Sequence, residues 1–359
     1  MSSKFSTYGD QFKSWLDRVF SDPQVLVLAV LLVIGCVLIV LLSDILMPVF
    51  AAGVIAYLLN SIVELLKKVK IPRLPAVLLV YGLFLTLVTF ILLAIIPLLY
   101  QQTVQLVEQS PQLINRAQEA ILQLPEHYPN FVSANQIDEI LSAARKQIFT
   151  YSQNILSMSA ASLMGMISMI VYLVLVPLLV FFFLKDKDRI LRWMMHYLPG
   201  DRRLTRQVWR QVDIQIGNYI RGKFLELVLL GVASFISFYT LGLNYSLLLA
   251  VAMGVSVLIP YVGATVVTIP VVVVAYMQWG FVTEFWYVMT AYAIVQVIDG
   301  TILVPVLFSE VVNLHPVAII VAILFFGGLW GFWGVFFAIP LAILVQAVLS
   351  VKPKTIPTL

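Results

Sequence analysis

Between Lys223 and Lys352 the chain has no lysine or arginine, yet it carries Glu226, Glu284, Asp299, Glu310 and His315. Their neighbours are apolar, aromatic, glycine or proline. A charge at a bilayer centre costs about 2.5–3.5 kcal/mol on insertion scales. An acid held there needs a water-filled path, a bound proton or a bound cation. The chemistry open to this set is translocation of an ion or a solute.

Gln296 and Asp299 are three residues apart, so they share a helix face. Asp299 lies about 22 Å along a helix from Glu284 and could carry a proton or a cation. The competing reading is a helix-end carboxylate satisfied by hydroxyl and backbone donors. Glu226 stands one turn from Arg221-Gly222-Lys223 and could pair with either base. Glu284 reads as a solvated end residue. Glu310 and His315 flank Asn313-Leu314 at the entry to a later apolar arm, after a segment that Pro305 is expected to break. His315 suits a gate or relay on one reading and an N-cap on the other. Coupling-ion or proton candidates are therefore Asp299, Gln296, Glu226, Glu310 and His315. Three scattered histidines and the single Cys36 give no metal-site spacing, and no cofactor is expected. Phosphate-cradling, nucleophile-elbow and zinc-helix motifs are absent, so an enzyme is not expected.

The elements that position these groups follow from composition. Of 359 residues, 61% are hydrophobic and 11% charged, against roughly 25% charged in a soluble domain. Charge-free runs such as Val25–Ser43, Ile45–Val63 and Leu74–Val107 match or exceed the ~20 residues that span a bilayer. The fold class is an all-α polytopic membrane protein. Its net charge of +4 is spread over loops, which gives no reason to expect nucleic acid as a partner.

Loop charge sets the expected topology. Residues 1–24 form a cytoplasmic N-terminus and 25–99 three membrane helices, with Lys67, Lys68, Lys70 and Arg73 in a cytoplasmic turn. Residues 100–159, with three basic and five acidic residues, form an external segment of short helices broken by Pro111, Pro125 and Pro129. Asn135 before Asp138 suits a cap. The segment is a solvated connector or, alternatively, a lid. Residues 160–184 are a fourth span, and 185–218 a basic, cytoplasmic, amphipathic segment. Residues 219–350 form a core that opens with a fifth span, and 351–359 a cytoplasmic tail.

Within the core, 246–258 and 264–278 are arms of 13 and 15 residues around Ile259-Pro260-Tyr261-Val262-Gly263. Each is about 20 Å long, short of a ~30 Å hydrocarbon core. Pro316–Phe326 and Val335–Leu349 flank Gly327–Gly334 in the same way, and an offset of 70 aligns Ile269-Pro270 with Ile339-Pro340. Paired interrupted helices of this kind frame substrate sites in secondary transporters. Two re-entrant hairpins, 243–278 and 313–350, with one span between them, leave both termini in the cytoplasm. Tilted full spans around tight turns are the alternative, with Gly327 and Gly331 serving helix packing. About eight apolar segments result. The tip residues Pro260, Tyr261, Gly263, Gly328, Trp330, Gly331, Trp333 and Gly334 are the expected substrate contacts.

Several stretches in order resemble the autoinducer-2 exporter family. They are Val176-Pro177-Leu178-Leu179-Val180-Phe181-Phe182-Phe183-Leu184-Lys185-Asp186, Asn218-Tyr219-Ile220-Arg221-Gly222-Lys223, Ile259-Pro260-Tyr261-Val262-Gly263, Asn313-Leu314-His315-Pro316 and Gly328-Leu329-Trp330-Gly331-Phe332-Trp333-Gly334. The resemblance covers essentially the whole chain and is greatest to a branch called permeases without an assigned substrate. It implies a bacterial inner-membrane homo-oligomer, a pentamer, whose hairpins move as an elevator against a scaffold. Family members differ in cargo: some are linked to autoinducer-2 export, others to sodium–proton exchange.

The leading expectation is export of a small polar, neutral solute such as a furanosyl signal, since the site has few charges and several aromatics. A Na⁺(Li⁺)/H⁺ antiporter is the first alternative, favoured by acids without bases. A non-transporting scaffold or assembly factor is the second.

Overall fold

Long apolar runs without charge fold as helices because only a helix satisfies its own backbone in lipid. The computed structural model describes residues 42–122, 142, 163–196, 203–260, 262–308 and 315–349, with the side chains at a few helix ends excepted. The first span with Cys36, the Asn135 cap, Tyr261, Glu310, Asn313-Leu314 and the tail 351–359 lie outside the described residues. Among those described there is no strand. Six helices are long and apolar enough to cross a membrane, and a bent pair makes a seventh if counted as one span.

Helix α1 is Ser43–Lys68, and α2 is Arg73–Phe90. A π-helical turn, Ile91–Ile95, joins α2 to α3, Ile96–Leu122. Proline has no N–H for the carbonyl four residues back. The wider π turn just before Pro97 takes up that mismatch, so the helix continues. It also runs through Pro111, where short broken helices were expected. The 99/100 boundary therefore falls inside continuous helix.

Helix α4, Leu163–Lys185, turns by 82° into the amphipathic α5, Lys187–His196. Arg73 staples this bend through an ion pair with Asp188 and a 3.3 Å hydrogen bond to the Leu184 carbonyl. Helix α6, Arg203–Thr240, fuses the second part of the basic segment to the fifth span. Then come α7, Ser246–Ser256, and α8, Val262–Trp279. Helix α9, Thr283–Ile298, passes through a second π turn, Asp299–Leu303, into α10, Val304–Phe308. Pro305 does not break this segment: as at Pro97, a π turn ends two residues before the proline. Helix α11, Pro316–Leu349, is interrupted at Gly331, whose φ of 59° and ψ of −138° are not helical.

The described residues divide between two compact units. One takes the stretches Met1–Val80, Val176–Leu225 and Ile302–Leu359, the other Tyr81–Leu175 and Glu226–Thr301. The second unit has a core from α6 to α9 that includes Phe238, Met253, Val271 and Val288. There α6 and α7 approach closely: a Cβ on Gly254 would stand 2.8 Å from the Leu227 carbonyl oxygen and 3.2 Å from the Gly231 Cα. In the first unit Tyr219, Ile220, Ile339 and Ile343 form a buried cluster. Many large apolar side chains elsewhere are exposed, among them Leu93, Phe281 and Leu324. On helices of this hydropathy such a surface suits lipid rather than water.

The glutamine-rich start of α3 has a structural role in the second unit. Gln102 Oε1 accepts the Leu248 N–H at 2.9 Å, one of the α7 N-terminal donors that no helical carbonyl can reach. The Tyr245 hydroxyl donates to Gln109 Oε1 at 2.9 Å, and burial raises the phenol above its ordinary value, so it stays a donor at neutral pH. Gln102→Ala should cost about 1 kcal/mol, the worth of a lost cap. Thermal unfolding in detergent measures it, and an unchanged midpoint would contradict the capping role.

Candidate functional site

Hairpin one, α7 with α8, reverses at residues 256–263. Its tip is closed by local backbone bonds: Ile259 N–H to the Ser256 carbonyl at 3.1 Å and Gly263 N–H to the Ile259 carbonyl at 3.0 Å. Irregular backbone needs such partners wherever water is excluded. A Cβ on Gly263 would overlap the Ser256 carbonyl oxygen. Hairpin two repeats the device within the other unit, where a Cβ on Gly334 would overlap the Phe326 carbonyl oxygen. Residues eight apart in a straight helix lie about 12 Å apart along the axis, so α11 folds back on itself. Ser256 and Phe326 stand 70 apart, the offset of the sequence repeat.

The arms of hairpin one are unequal. At 11 residues α7 is about 16 Å long, while the 18 residues of α8 reach about 27 Å. The second arm is thus longer than the 15 residues expected from sequence.

A chain of polar groups lies between α8 and α9. The Thr268 and Tyr292 hydroxyls are hydrogen-bonded to each other at 2.6 Å, and each also reaches the Ala264 carbonyl, at 2.8 and 3.2 Å respectively. Tyr292 in turn accepts from Gln296 Nε2 at 2.8 Å. Beside this chain is a hollow of about 560 Å³, lined by Thr265, Thr268, Tyr292 and Gln296 with apolar Ile269, Val272 and Val273. Tyr292, Gln296 and Asp299 follow i, i+4, i+7 spacing, one face of a helix. Asp299 is half-buried and opens the π turn after α9.

The remaining candidates are dispersed. Glu226 is 2% exposed on α6, in the second unit. The Arg221 guanidinium donates to Asn218 Oδ1 at 2.7 Å and lies over the Tyr57 ring. Lys223 lies over the Phe308 ring, and Gly222 admits that ring, since a Cβ there would stand 2.8 Å from Phe308 Cε1. His315 is exposed, and its Nδ1 accepts the Val317 N–H at 3.3 Å, capping α11. Glu284 is exposed in the first turn of α9. Glu310 lies outside the described residues.

The hairpin-two tip is aromatic. Trp330 stacks on Phe337 at 5.8 Å and meets Phe50 edge-on at 5.6 Å, while its buried Nε1 has no hydrogen-bond partner among the described residues. Trp333 stacks on the same Phe337 at 6.1 Å. Gly328 is exposed and open. Pro260 and Gly263 belong to the second unit, and Gly328, Trp330, Gly331, Trp333 and Gly334 to the first.

Sequence reasoning singled out Gln296 but missed Thr265, Thr268 and Tyr292. The i, i+4 spacing of Tyr292 and Gln296 was the available signal. Among the described residues no group of acids, histidines or cysteines could hold a metal.

The model of the AI-2E family transporter matches residues 26–354. The chain is 46% identical over 344 residues to the protein named "Putative permease PerM" of Escherichia coli (strain K12), covering 96% of this chain and 98% of that protein. It is 29% identical over 318 residues to "Putative transport protein YueF" of Bacillus subtilis (strain 168), covering 86% of this chain and 84% of that one. With a family match over nearly its whole length and helices suited to cross a bilayer, this chain is an integral membrane protein of the AI-2E transporter family.

Proposed function

We propose that this protein is a secondary transporter of the bacterial inner membrane that exports a small, polar, neutral solute. The observation that carries the reading is the Thr268–Tyr292–Gln296 chain beside a hollow of about 560 Å³ in otherwise apolar helices. That volume is in the range of small-molecule sites, which combine apolar walls with a few placed polar groups. With its N–H committed to Tyr292, the Gln296 amide offers its oxygen to a solute hydroxyl. Thr265 adds a hydroxyl that can donate or accept. A furanosyl signal such as autoinducer-2 has the size and hydroxyl pattern for such a site. The tips at Pro260–Gly263 and Gly328–Gly334 contact solute as well, each argued within its own unit. An elevator movement of the hairpins, cytoplasmic termini and a pentameric assembly complete the proposal, following the resemblance of the sequence motifs.

Antiport of Na⁺ or Li⁺ against protons is the second reading, favoured by Glu226, a carboxylate buried on α6. Adding the furanosyl signal to purified protein discriminates. Its thermal midpoint should rise in the wild type and stay unchanged in Gln296→Leu. A rise of equal size in both, or a rise with Na⁺ alone, would contradict the solute site.

A further inference from the structure

A second cavity, of about 470 Å³, lies within the first unit and takes no part in the α8–α9 groove. Its walls are largely apolar, from Gly53 and Ala56 of α1, Phe183 of α4, Ile190 and Leu191 of α5, and Ile216 of α6. Two opposite charges line it as well: Lys187, at the start of α5, and Asp213 of α6. The ion pairs among the described residues are Lys67–Glu64 and Arg73–Asp188, so neither charge has a partner within 4.0 Å. Asn60, also in the lining, has a buried amide oxygen with no hydrogen-bond partner.

We propose that this cavity holds one zwitterionic phospholipid whose head carries a primary ammonium. The apolar walls take an acyl chain. Lys187 supplies an ammonium for the lipid phosphate, and Asp213 a carboxylate for the lipid ammonium. Asn60 is a second acceptor for an N–H donor. The site sits where α4 bends by 82° into the amphipathic α5, the kind of helix that lies at a bilayer surface beside lipid heads. A lipid held there would help fix the bend that Arg73 staples.

Gly53 gives a direct test. A Cβ at that position meets nothing within 4 Å, so a larger side chain can start into the cavity without a clash at its base. Replacing a mid-helix glycine also favours the helix. Gly53→Leu should therefore fold well while filling the space the acyl chain needs.

The experiment exchanges the wild type extensively in detergent and then adds back phosphatidylethanolamine, phosphatidylglycerol or free phosphoethanolamine. Phosphatidylethanolamine should raise the thermal midpoint of the wild type, with about one such lipid retained per protomer by mass spectrometry. Phosphatidylglycerol should give a smaller rise, and phosphoethanolamine none. Gly53→Leu should retain no lipid and show no rise. Asp213→Asn should bind both lipids alike, which keeps the test available if the leucine variant is poorly produced. Equal response to the two lipids in the wild type, or lipid retained undiminished by Gly53→Leu, would overturn the proposal.

Discussion

Gly334→Ala is expected to unfold the second hairpin. The added Cβ would occupy the space of the Phe326 carbonyl oxygen. That atom is backbone in the facing arm and cannot rotate away as a side-chain end would. Relief requires the arms to separate, which exposes tip amides that lipid cannot satisfy. Overpacking of side chains costs about 1–3 kcal/mol, and a backbone overlap costs at least the upper end of that range. The thermal midpoint should fall by roughly 4 °C or more, with much of the protein lost as aggregate on size exclusion. Gly263→Ala should behave alike, because the same overlap arises with the Ser256 carbonyl.

Two neighbouring glycines give the scale. Gly331 has a φ of 59° and a ψ of −138°, the mirror image of an extended conformation that glycine alone adopts readily, so alanine there should cost about 1–3 kcal/mol through the backbone alone. A Cβ on Gly328 meets nothing within 4 Å, and alanine there should be tolerated. The order Gly334 worse than Gly331 worse than Gly328 separates a closed hairpin from a merely glycine-rich helix. Equal effects at all three would mean that helix propensity, not tip closure, governs this segment.

Tyr292→Phe is expected to cut solute flux about 10- to 100-fold with little loss of folded protein. The hydroxyl joins Thr268 to Gln296, so its removal leaves the Gln296 N–H without its 2.8 Å acceptor, while Thr268 keeps its bond to the Ala264 carbonyl. An unsatisfied buried donor or acceptor costs about 1–3 kcal/mol, which converts to that range of flux. The hollow beside these residues admits water, so the folded state can recover much of this loss. A solute held by the same groups cannot recover it so easily, because the Gln296 amide is no longer oriented to receive its hydroxyl. Proteoliposome uptake of the radiolabelled furanosyl signal, set beside the thermal midpoint, separates the two effects. Flux at wild-type level in Tyr292→Phe would remove this groove from the transport path.

The sequence disclosed some of these features and hid others, for physical reasons. Pro260 and Gly263, and the glycines from 327 to 334, marked both chain reversals because proline and glycine between short apolar arms favour a turn over continuous helix. The repeat offset reappears in three dimensions, with Ser256 and Phe326 each facing a tip glycine. The continuity of helix through Pro305 was not legible. Proline reads as a breaker, and the compensating π turn leaves no compositional mark. Tyr292 was hidden because an aromatic on a membrane helix reads first as an interface or core residue, and here it is both buried and bonded. Thr265 and Thr268 were hidden in a run of β-branched residues whose hydroxyls can satisfy themselves on their own helix, as Thr268 does at Ala264. Gln102 looked like solvated connector, yet it caps α7 from 146 residues away.

The central claim is that the cargo is a neutral solute rather than a cation exchanged for protons. The direct test is flux in proteoliposomes containing a pH-sensitive lumenal dye, comparing wild type with Asp299→Asn. The panel contains Na⁺, Li⁺, K⁺ and the radiolabelled furanosyl signal. The account predicts no proton signal with any cation, and labelled solute crossing in the wild type but not in the variant. A proton signal triggered by Na⁺ or Li⁺ and lost in Asp299→Asn would contradict it and establish antiport.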